Sequence, residues 1–339
     1  MGKSAPQSDL YAVLRVHPRA EAEVIEAAYR ALSASYPPSG AKNDPSVAIA
    51  EAYDTLADPD KRDRYDAVRS GKIKDDLVGE YRFLEEIAEG GFGKTFKAEH
   101  VMLGELVCIK QCSRISPQAD AILVAEAKAM WDLRHYSIPS ARTVMRLDDG
   151  SLALVMSYIP GATLAQYVEK HGRMKPEHVA WITERSLNAL MYLHDNGVVH
   201  GDFKPQNIIV QDKTHTVVLV DFGISLVKPT KGTRSKGYTD LFAPPEQLAG
   251  NTIIPESDFY SLGVTMLYAL CGGDLGRVER REIPKDVPDP LRRFIARLLV
   301  SEPLERPRWE NENLFETIQK VRQQAFGRTR TGMEPLPQM

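Results

Sequence analysis

This sequence has few cysteines, no large excess of positive or negative charge, and no long apolar run. Its three cysteines, Cys108, Cys112 and Cys271, form no metal-binding spacing and cannot all pair, so a reduced, intracellular setting is the simplest interpretation. The 43 lysines and arginines are balanced by 46 aspartates and glutamates. A chain without a basic surplus is not expected to bind nucleic acid.

Membrane-directed segments are not apparent either. The longest mainly apolar run, SLGVTMLYALCGG, is too short to span a bilayer. The opening MGKSAPQSD has no apolar stretch typical of a secretory signal, and Pro6 stands where the myristoylation pattern needs Ser or Thr. The sequence therefore predicts a soluble, cytoplasmic protein with no membrane partner.

The first 70 residues have helical periodicity throughout. Val24, Ile25 and Leu32 fall on one predicted helical face, a second helix follows Pro45 with Val47 on its apolar side, and a short charged helix follows Pro59. The range 1–70 is therefore predicted to be a small all-α domain. The polar stretch 71–80 is typical of a linker.

Beyond residue 80 the pattern changes from helical to β-like. Short β-like runs fill 81–112, helical periodicity returns over 117–133, and two further β-like runs lead to 159, after which helices dominate. Strands first and helices later predict a two-lobed α+β domain over 81–320, with lobes 81–159 and 160–320. The end, 321–339, is predicted to be a flexible tail.

Several polar residues recur at a spacing that solvation alone does not require. HGDFKPQN occupies 200–207, and VVLVDFG follows at 217–223. Upstream, the glycine-rich AEGGFGKT at 88–95 precedes VCIK at 107–110. Glycines let a backbone approach phosphates closely, although a glycine hairpin alone is more often a simple turn.

Lys110 and Glu126 are each open to two interpretations. Lys110 ends an alternating strand, so it could point at water or reach a phosphate held by the glycine-rich hairpin. Glu126 lies one helical turn after Ile122 and four residues before Met130, on a face predicted to point inward. A carboxylate there needs a partner, for which Lys110 is the natural candidate, but a solvated helix edge remains open.

Together these motifs resemble those of the eukaryotic-type serine/threonine protein kinases. HGDFKPQN is similar to H-R-D-L-x-x-x-N, DFG to the magnesium-binding motif, VCIK to V-A-I-K, and APPEQ at 243–247 to the A-P-E box. Their order and spacing make the resemblance specific, and it covers about 81–320. It implies the two-lobed protein-kinase fold, with a β-rich first lobe and a helical second lobe.

The resemblance implies a site for ATP and Mg²⁺. Asp202 would accept the proton of the substrate hydroxyl, Lys204 would stabilise the γ-phosphate, and Asn207 and Asp221 would hold magnesium. Lys110, braced by Glu126, would hold the α- and β-phosphates. The remaining nucleotide-binding positions would be Ala88, Gly90, Gly91, Gly93 and Thr95 of the hairpin, Met156, Ser157, Tyr158 and Ile159 of the hinge, and Cys108 and Ile209 on either side of adenine.

Other matches imply structural roles. Asp258 would anchor the backbone of the catalytic loop, the segment 200–207. Glu246 and Arg306 would form an ion pair that fastens the activation segment, the segment 221–246. Thr239 would bind Asp202 and Lys204, a mark of serine and threonine as acceptors.

Two departures from the family pattern bear on function. Ala88 replaces the first glycine of the hairpin. Gly201 replaces the arginine that normally receives the activation-loop phosphate, so the usual phosphate switch has lost its clamp. Kinases that lack this arginine before the catalytic aspartate are called non-RD kinases, and the resemblance implies that type.

The first 70 residues resemble a J-domain, the helical hairpin of co-chaperones. DLYAVLRV, AYRALSASY and AIAEAYDTLADPDKRDRYD follow its order over about 8–68. The His-Pro-Asp of the family is here Pro37-Pro38-Ser39, so the J-domain is degenerate in its key loop. The expected use of this domain is docking or regulation through a protein partner.

The sequence thus predicts a cytoplasmic serine/threonine kinase that acts on proteins. One alternative is a nucleotide-binding pseudokinase or scaffold, which the intact Lys110, Asp202, Asn207 and Asp221 disfavour. Another is a co-chaperone targeted by its kinase-like part, which the missing His-Pro-Asp disfavours.

Overall fold

The chain divides into two compact units, Met1–Leu77 and Val78–Met339, and each is described here by itself. The division falls within the stretch predicted as a linker. The structure is a computed structural model that describes residues 9–38, 44–69, 77–90, 93–112, 114–147, 149–212, 214–230, 232–328 and 333–339.

The first unit is all-helical, as predicted. Asp44 caps one helix by accepting a hydrogen bond from the backbone nitrogen of Ser46, and Pro45 occupies its first turn. Ile25 and Leu32 are buried against Ile49 and Leu56. The helices are α1 (Leu10–Val13), α2 (Ala22–Ser35), α3 (Pro45–Leu56) and α4 (Pro59–Arg69).

Two predicted core residues of this unit prove to be exposed. Val24 is 51% exposed and Val47 is 55% exposed, so their placement on the buried face was wrong. Neighbouring residues on a helix point about 100° apart, and the buried stripe of α2 runs through Ile25 and Leu32, which turns Val24 toward solvent. Tyr29 and Tyr53 close the edge of the core by stacking at 4.0 Å between ring centroids.

The second unit begins with a six-stranded sheet in the order β1-β2-β3-β4-β6-β5. Its central strand β4 is paired on both sides, and Lys110 lies opposite Thr95 on one neighbour and Leu154 on the other. The helix α5 (Pro117–Trp131) buries Leu123 and Met130. The strands are β1 (Leu77–Val78), β2 (Tyr81–Gly90), β3 (Gly93–His100), β4 (Glu105–Cys112), β5 (Ala141–Arg146) and β6 (Leu152–Ser157).

The remainder of this unit is mainly helical and packs around α7 and α9. Most residues of these two helices are buried, and many of their apolar side chains belong to a core that also includes Phe203 and Phe222. The helices are α6 (Leu164–His171), α7 (Pro176–Asp195), α8 (Pro245–Leu248), α9 (Pro255–Leu270), α10 (Leu275–Glu279), α11 (Asp289–Leu298) and α12 (Leu314–Phe326).

Short strands carry the loops that face the sheet. They form two small sheets in the orders β10-β9-β7 and β11-β8. This is the predicted α+β arrangement, with strands first and helices later. The strands are β7 (Ala162–Thr163), β8 (Val198–Val199), β9 (Ile208–Gln211), β10 (Thr216–Leu219) and β11 (Leu226–Val227).

The end of the chain differs from the flexible tail predicted over 321–339. Helix α12 continues to Phe326, and Leu336 is buried in the main core. Arg328 pairs with Glu177 of α7 at 2.7 Å. Burial of Leu336 and the ion pair between Arg328 and Glu177 help to offset the conformational entropy that this segment loses on ordering. Composition alone does not predict these contacts. Over the described ranges, no helix is long and apolar enough to cross a membrane.

Candidate active site

A cleft of about 490 Å³ lies between the six-stranded sheet and the helical part of the second unit. Most of the residues predicted to bind nucleotide line this cleft. They are Ala88, Thr95, Cys108, Lys110, Glu126, Met156, Ser157, Tyr158, Ile159, Asn207, Ile209 and Asp221.

The predicted glycines lie at the tip of the β2–β3 hairpin, outside the cleft lining. Gly90 and Gly93 face each other across the two strands, and Gly91 lies outside the described residues. A Cβ on Gly93 would stand 1.8 Å from the carbonyl oxygen of Gln111. The close approach of strand β4 therefore requires glycine at 93, whether or not the hairpin also covers a ligand.

Lys110 stands between two carboxylates. Its Nζ donates to Glu126 at 2.8 and 2.9 Å and to Asp221 at 2.7 Å. Glu126 comes from α5 and is 2% exposed, so the solvated helix edge that the sequence left open is not what forms. The contacts of Lys110 with Glu126 and Asp221 therefore join the sheet, α5 and the DFG segment.

The protonation states at this point follow from burial and charge. Burial alone would lower the pKa of Lys110, but the attraction of Glu126 and Asp221 outweighs it and raises that pKa above its usual range. Burial would raise the pKa of Asp221, yet Lys110 holds it below its usual value. For Glu126 burial prevails, and its pKa is raised. Lys110 is thus a permanent cation facing an ionised Asp221.

Asp221 has an unusual backbone conformation. Its φ is +65°, in the left-handed region that few residues other than glycine adopt. The side chain of the next residue, Phe222, is fully buried beside the ring of His200, with 5.0 Å between ring centroids. Burial of Phe222 and the ion pair with Lys110 hold Asp221 in this conformation, which directs its carboxylate into the cleft.

Asp202 is the centre of a second polar cluster. Thr239 donates to its Oδ1 at 2.8 Å, and Lys204 lies 2.6 Å from its Oδ2. Lys204 also donates to the Thr239 hydroxyl at 2.9 Å. Asn207 donates to Oδ2 at 3.0 Å and to the Asp202 carbonyl at 2.9 Å. These are the contacts that the resemblance implied for Thr239, and they fix the direction of the Asp202 carboxylate.

Asp258 holds the backbone that carries this cluster. Its two carboxylate oxygens accept hydrogen bonds from the backbone nitrogens of His200 at 2.8 Å and Gly201 at 2.9 Å. Burial would raise the pKa of Asp258, but the hydrogen bond from His194 and the backbone donors keep it low. A buried, ionised Asp258 therefore braces the catalytic loop, as the resemblance implied.

The activation segment is fastened at its far end by Glu246. Arg306 donates to both oxygens of this carboxylate at 2.7 and 2.8 Å, and both residues are buried. Burial would raise the pKa of Glu246, but the hydrogen bonds from Arg306 and Ser257 lower it. The bidentate pair is the one that the resemblance implied.

Apolar side chains bound the cleft on its sheet and helical sides. Cys108 of β4 lies opposite Met156 of β6 in the strand register, and Ile209 of β9 lines the cleft from the helical part. Burial raises the pKa of the Cys108 thiol to about 12. Cys108 therefore serves as a small apolar wall and not as a nucleophile.

Asn207 and Asp221 are suited to hold a magnesium ion. Their side-chain oxygens are hard ligands of the kind that Mg²⁺ takes, and both residues line the cleft. Because the amide nitrogen of Asn207 is committed to Asp202, its oxygen is the atom that can face the cleft. Within the described ranges, no cluster of three or more His, Cys, Asp or Glu side chains could hold a metal.

Sequence reasoning missed several residues of this region. Val220 and Gln206 line the cleft, and their positions beside Asp221 and Asn207 were the available signal. Trp309 donates from its indole nitrogen to His194 at 2.8 Å, and His194 in turn contacts Asp258. No local pattern in the sequence predicts that link.

Two family models match the chain. The model described as Protein kinase domain matches residues 81–316, and the model described as DnaJ domain matches residues 9–66. The first therefore spans strands β2 to β6, the cleft and most of the helical part, and the second spans α1 to α3 and most of α4.

Curated relatives are named as kinases. Serine/threonine-protein kinase F of Synechocystis is 31% identical over 68% of this chain and 53% of its own length. Protein kinase kin1 of Schizosaccharomyces pombe is 28% identical over 79% of this chain and 34% of its own length. Serine/threonine-protein kinase pkn3 of Myxococcus xanthus is 30% identical over 69% and 49%. The matched regions cover about half or less of these relatives.

Proposed function

Because the chain belongs to the protein kinase family, we propose that it transfers the γ-phosphate of ATP, with Mg²⁺, to serine and threonine hydroxyls of proteins. The observation that carries this proposal is the assembly of two polar clusters beside one cleft. Lys110 joins Glu126 and Asp221, and Asp202 joins Lys204 and Thr239. Positioned charge is what phosphoryl transfer needs most.

In this proposal Asp202 receives the substrate. Its carboxylate is oriented by Thr239 and Asn207, so it can hold the acceptor hydroxyl and take its proton as the oxygen bonds to the γ-phosphorus. Lys204, 2.6 Å from Asp202, supplies positive charge to the transferred phosphoryl group. ADP leaves as the bond to the β-phosphate oxygen breaks.

The other cluster holds the nucleotide. Lys110 is kept charged by its two carboxylate neighbours and is placed to bind the α- and β-phosphates. Asn207 and Asp221 would hold Mg²⁺, which would supply positive charge that offsets the negative charge of the phosphates. Cys108, Met156 and Ile209 offer the apolar walls that an adenine ring fits.

Serine and threonine are the proposed acceptors because Thr239 occupies the position next to Asp202. Its hydroxyl bridges Asp202 and Lys204, which is the contact that the resemblance associates with serine/threonine kinases. Relatives are also named serine/threonine-protein kinases. Gly201 in place of the usual arginine supports the non-RD type.

The helical unit is proposed to be a docking or regulatory module for a protein partner. Pro37 and Pro38 are exposed where the J-domain family has His and Pro, and Ser39 lies outside the described residues. Glu21, Glu23 and Glu26 are exposed on or beside α2 against the single Arg30. An acidic face opposes an acidic chaperone surface, so this unit is not proposed to act as a co-chaperone.

Incubation with labelled ATP, magnesium and a generic protein substrate tests the proposed activity, with Asp202→Asn as control. Incorporation that depends on Asp202 supports the kinase. A wild-type protein that binds ATP and transfers nothing would favour the nucleotide-binding scaffold. A cytoplasmic location stays a prediction from composition.

A further inference from the structure

Gln247 occupies a position where one side chain reaches two separate segments. It follows Glu246 in the short helix α8 and is 2% exposed. Its Nε2 donates to the carbonyl oxygens of Gly201 and Gly237, each at 2.9 Å, and lies 3.0 Å from the Ser235 hydroxyl. Because both partners are carbonyl oxygens, which only accept hydrogen bonds, the amide nitrogen of Gln247 and not its oxygen faces them.

The two carbonyls belong to the segments that must be aligned for transfer. Gly201 directly precedes Asp202 in the catalytic loop. Gly237 lies two residues before Thr239, whose hydroxyl donates to Asp202 at 2.8 Å. Gln247 therefore ties the activation segment to the catalytic loop on one side of Asp202, and Thr239 ties them on the other.

The backbone at Gly201 is built for this contact and not for the family's arginine. Its φ is +75°, and a Cβ there would stand 2.7 Å from Cδ1 of Ile253. Its nitrogen is held by Asp258 while its carbonyl is held by Gln247. A larger residue at 201 would be strained in the left-handed region, so a phosphate-binding side chain cannot be restored there without moving the loop.

Three further hydrogen bonds secure the same segment. Ser235 donates to the Gly237 carbonyl at 2.6 Å. Lys236 donates to the Ser225 carbonyl at 2.9 Å, and Gly232 donates to the hydroxyl of Thr252 at 3.1 Å.

We propose that Gln247 is a positioning residue that holds the activation segment against the catalytic loop, in place of the phosphate–arginine pair. The segment is then set for catalysis without phosphorylation. Phosphorylation of Ser235 opposes this arrangement, because it removes the hydroxyl that donates to the carbonyl of Gly237 and sets a negative charge beside that carbonyl. The inference deepens the proposed kinase function and rests on it.

The test compares full-length Gln247→Met and Gln247→Glu with wild type. Gln323→Glu, at an exposed position of helix α12, is the matched charge control. Gln247→Met keeps the length of the side chain but donates nothing, and Gln247→Glu sets a carboxylate against two carbonyls. We expect kcat to fall on the order of 10-fold in the first and further in the second, since small misplacements of reacting groups cost this much or more. KM for ATP and the control variant should stay at wild-type values.

Amide hydrogen exchange over residues 232–240 gives a readout that does not depend on activity. We expect faster exchange there in both Gln247 variants, with no change in strands β4 and β6. Ser235→Glu should speed the same amides and lower kcat, and phosphatase treatment of the wild type should change neither.

The outcomes separate this inference from the proposed function. Wild-type kcat and exchange in Gln247→Met, or loss of activity on phosphatase treatment, would overturn it. So would loss of ATP-analogue binding in either Gln247 variant, because Gln247 would then support the fold as a whole. A wild type without transferase activity would refute the kinase, while exchange over 232–240 would still show whether Gln247 holds the segment.

Discussion

Replacing Lys110 by methionine should destabilise the second unit in a way that depends on pH. The change keeps the length of the side chain and removes the cation from between Glu126 and Asp221. Two carboxylates then share the inner end of the cleft without a counter-charge. Because Glu126 is 2% exposed, water cannot screen it.

The expected magnitude follows from the exposure of each partner. Breaking a buried ion pair by removing one member costs about 3–5 kcal/mol, and Glu126 is in this class. Asp221, whose side chain is 37% exposed, adds little because solvent screens it. Against a total stability of about 5–15 kcal/mol, the loss is large enough to measure by equilibrium unfolding.

The sign of the pH dependence is fixed by Glu126. Burial already raises the pKa of this carboxyl, and the attraction of Lys110 opposes that rise. Without Lys110 the folded pKa moves higher still, so the folded variant binds a proton that the unfolded chain has released. Wild type and variant both lose stability as pH rises above the unfolded value of about 4.3. The variant should lose more than wild type once pH passes the folded pKa of Glu126 in wild type, which lies above that value.

Urea unfolding followed by tryptophan fluorescence measures this change in the full-length protein. The three tryptophans, Trp131, Trp181 and Trp309, all lie in the second unit, so the signal reports that unit alone. Lys97→Met is the matched control, because Lys97 forms a more exposed pair with Glu85 at 3.1 Å. Its loss should cost within about 1 kcal/mol. Equal losses in the two variants, with no difference in pH dependence, would refute the reasoning from buried charge.

Three further results are expected. Asp202→Asn and Asp221→Asn should each lower kcat by about 100-fold or more in a labelled-ATP assay, because each removes preorganised charge at the reacting phosphate; wild-type turnover in Asp202→Asn would show that its assigned role is wrong. Phospho-amino-acid analysis of substrates should give phosphoserine and phosphothreonine, and mainly phosphotyrosine would contradict the role given to Thr239. The full-length protein should not stimulate a heat-shock chaperone ATPase in single-turnover measurements, with Pro37→His, Ser39→Asp as the comparison; stimulation by the unmutated chain, at the level of a working J-domain, would contradict the docking proposal.

Local sequence patterns were enough to predict much of this molecule. Apolar spacing and Pro45 predicted the α2 and α3 helices, because helix periodicity and proline geometry act within a few residues. The order of the glycine hairpin, VCIK, HGDFKPQN and DFG predicted which chemistry the cleft supports. Val24 shows the limit of the same pattern, since an apolar residue at the margin of the stripe proved to be exposed.

Motif spacing predicted which residues form the site, but packing decided which of them are buried and which partners they contact. From the sequence, Glu126 could equally be solvated or buried, and only the approach of β4, α5 and the DFG segment placed it 2.8 Å from Lys110. The tail over 321–339 was predicted to be flexible, yet Leu336 is buried in an apolar core that strands and helices far upstream form. Burial depends on segments that are distant in the sequence, so a short stretch of sequence does not determine it.

The sequence by itself determined the family, the order of the elements and the residues that carry charge to the cleft, because these depend on residue type and short spacing. The tertiary structure alone decided that Gln247 meets Gly201, 46 residues away, and that Trp309 meets His194 across 115 residues. Such contacts form only where separate elements pack within about 3 Å of one another, and hydrogen bonds of glutamine or tryptophan leave no periodic trace in the chain.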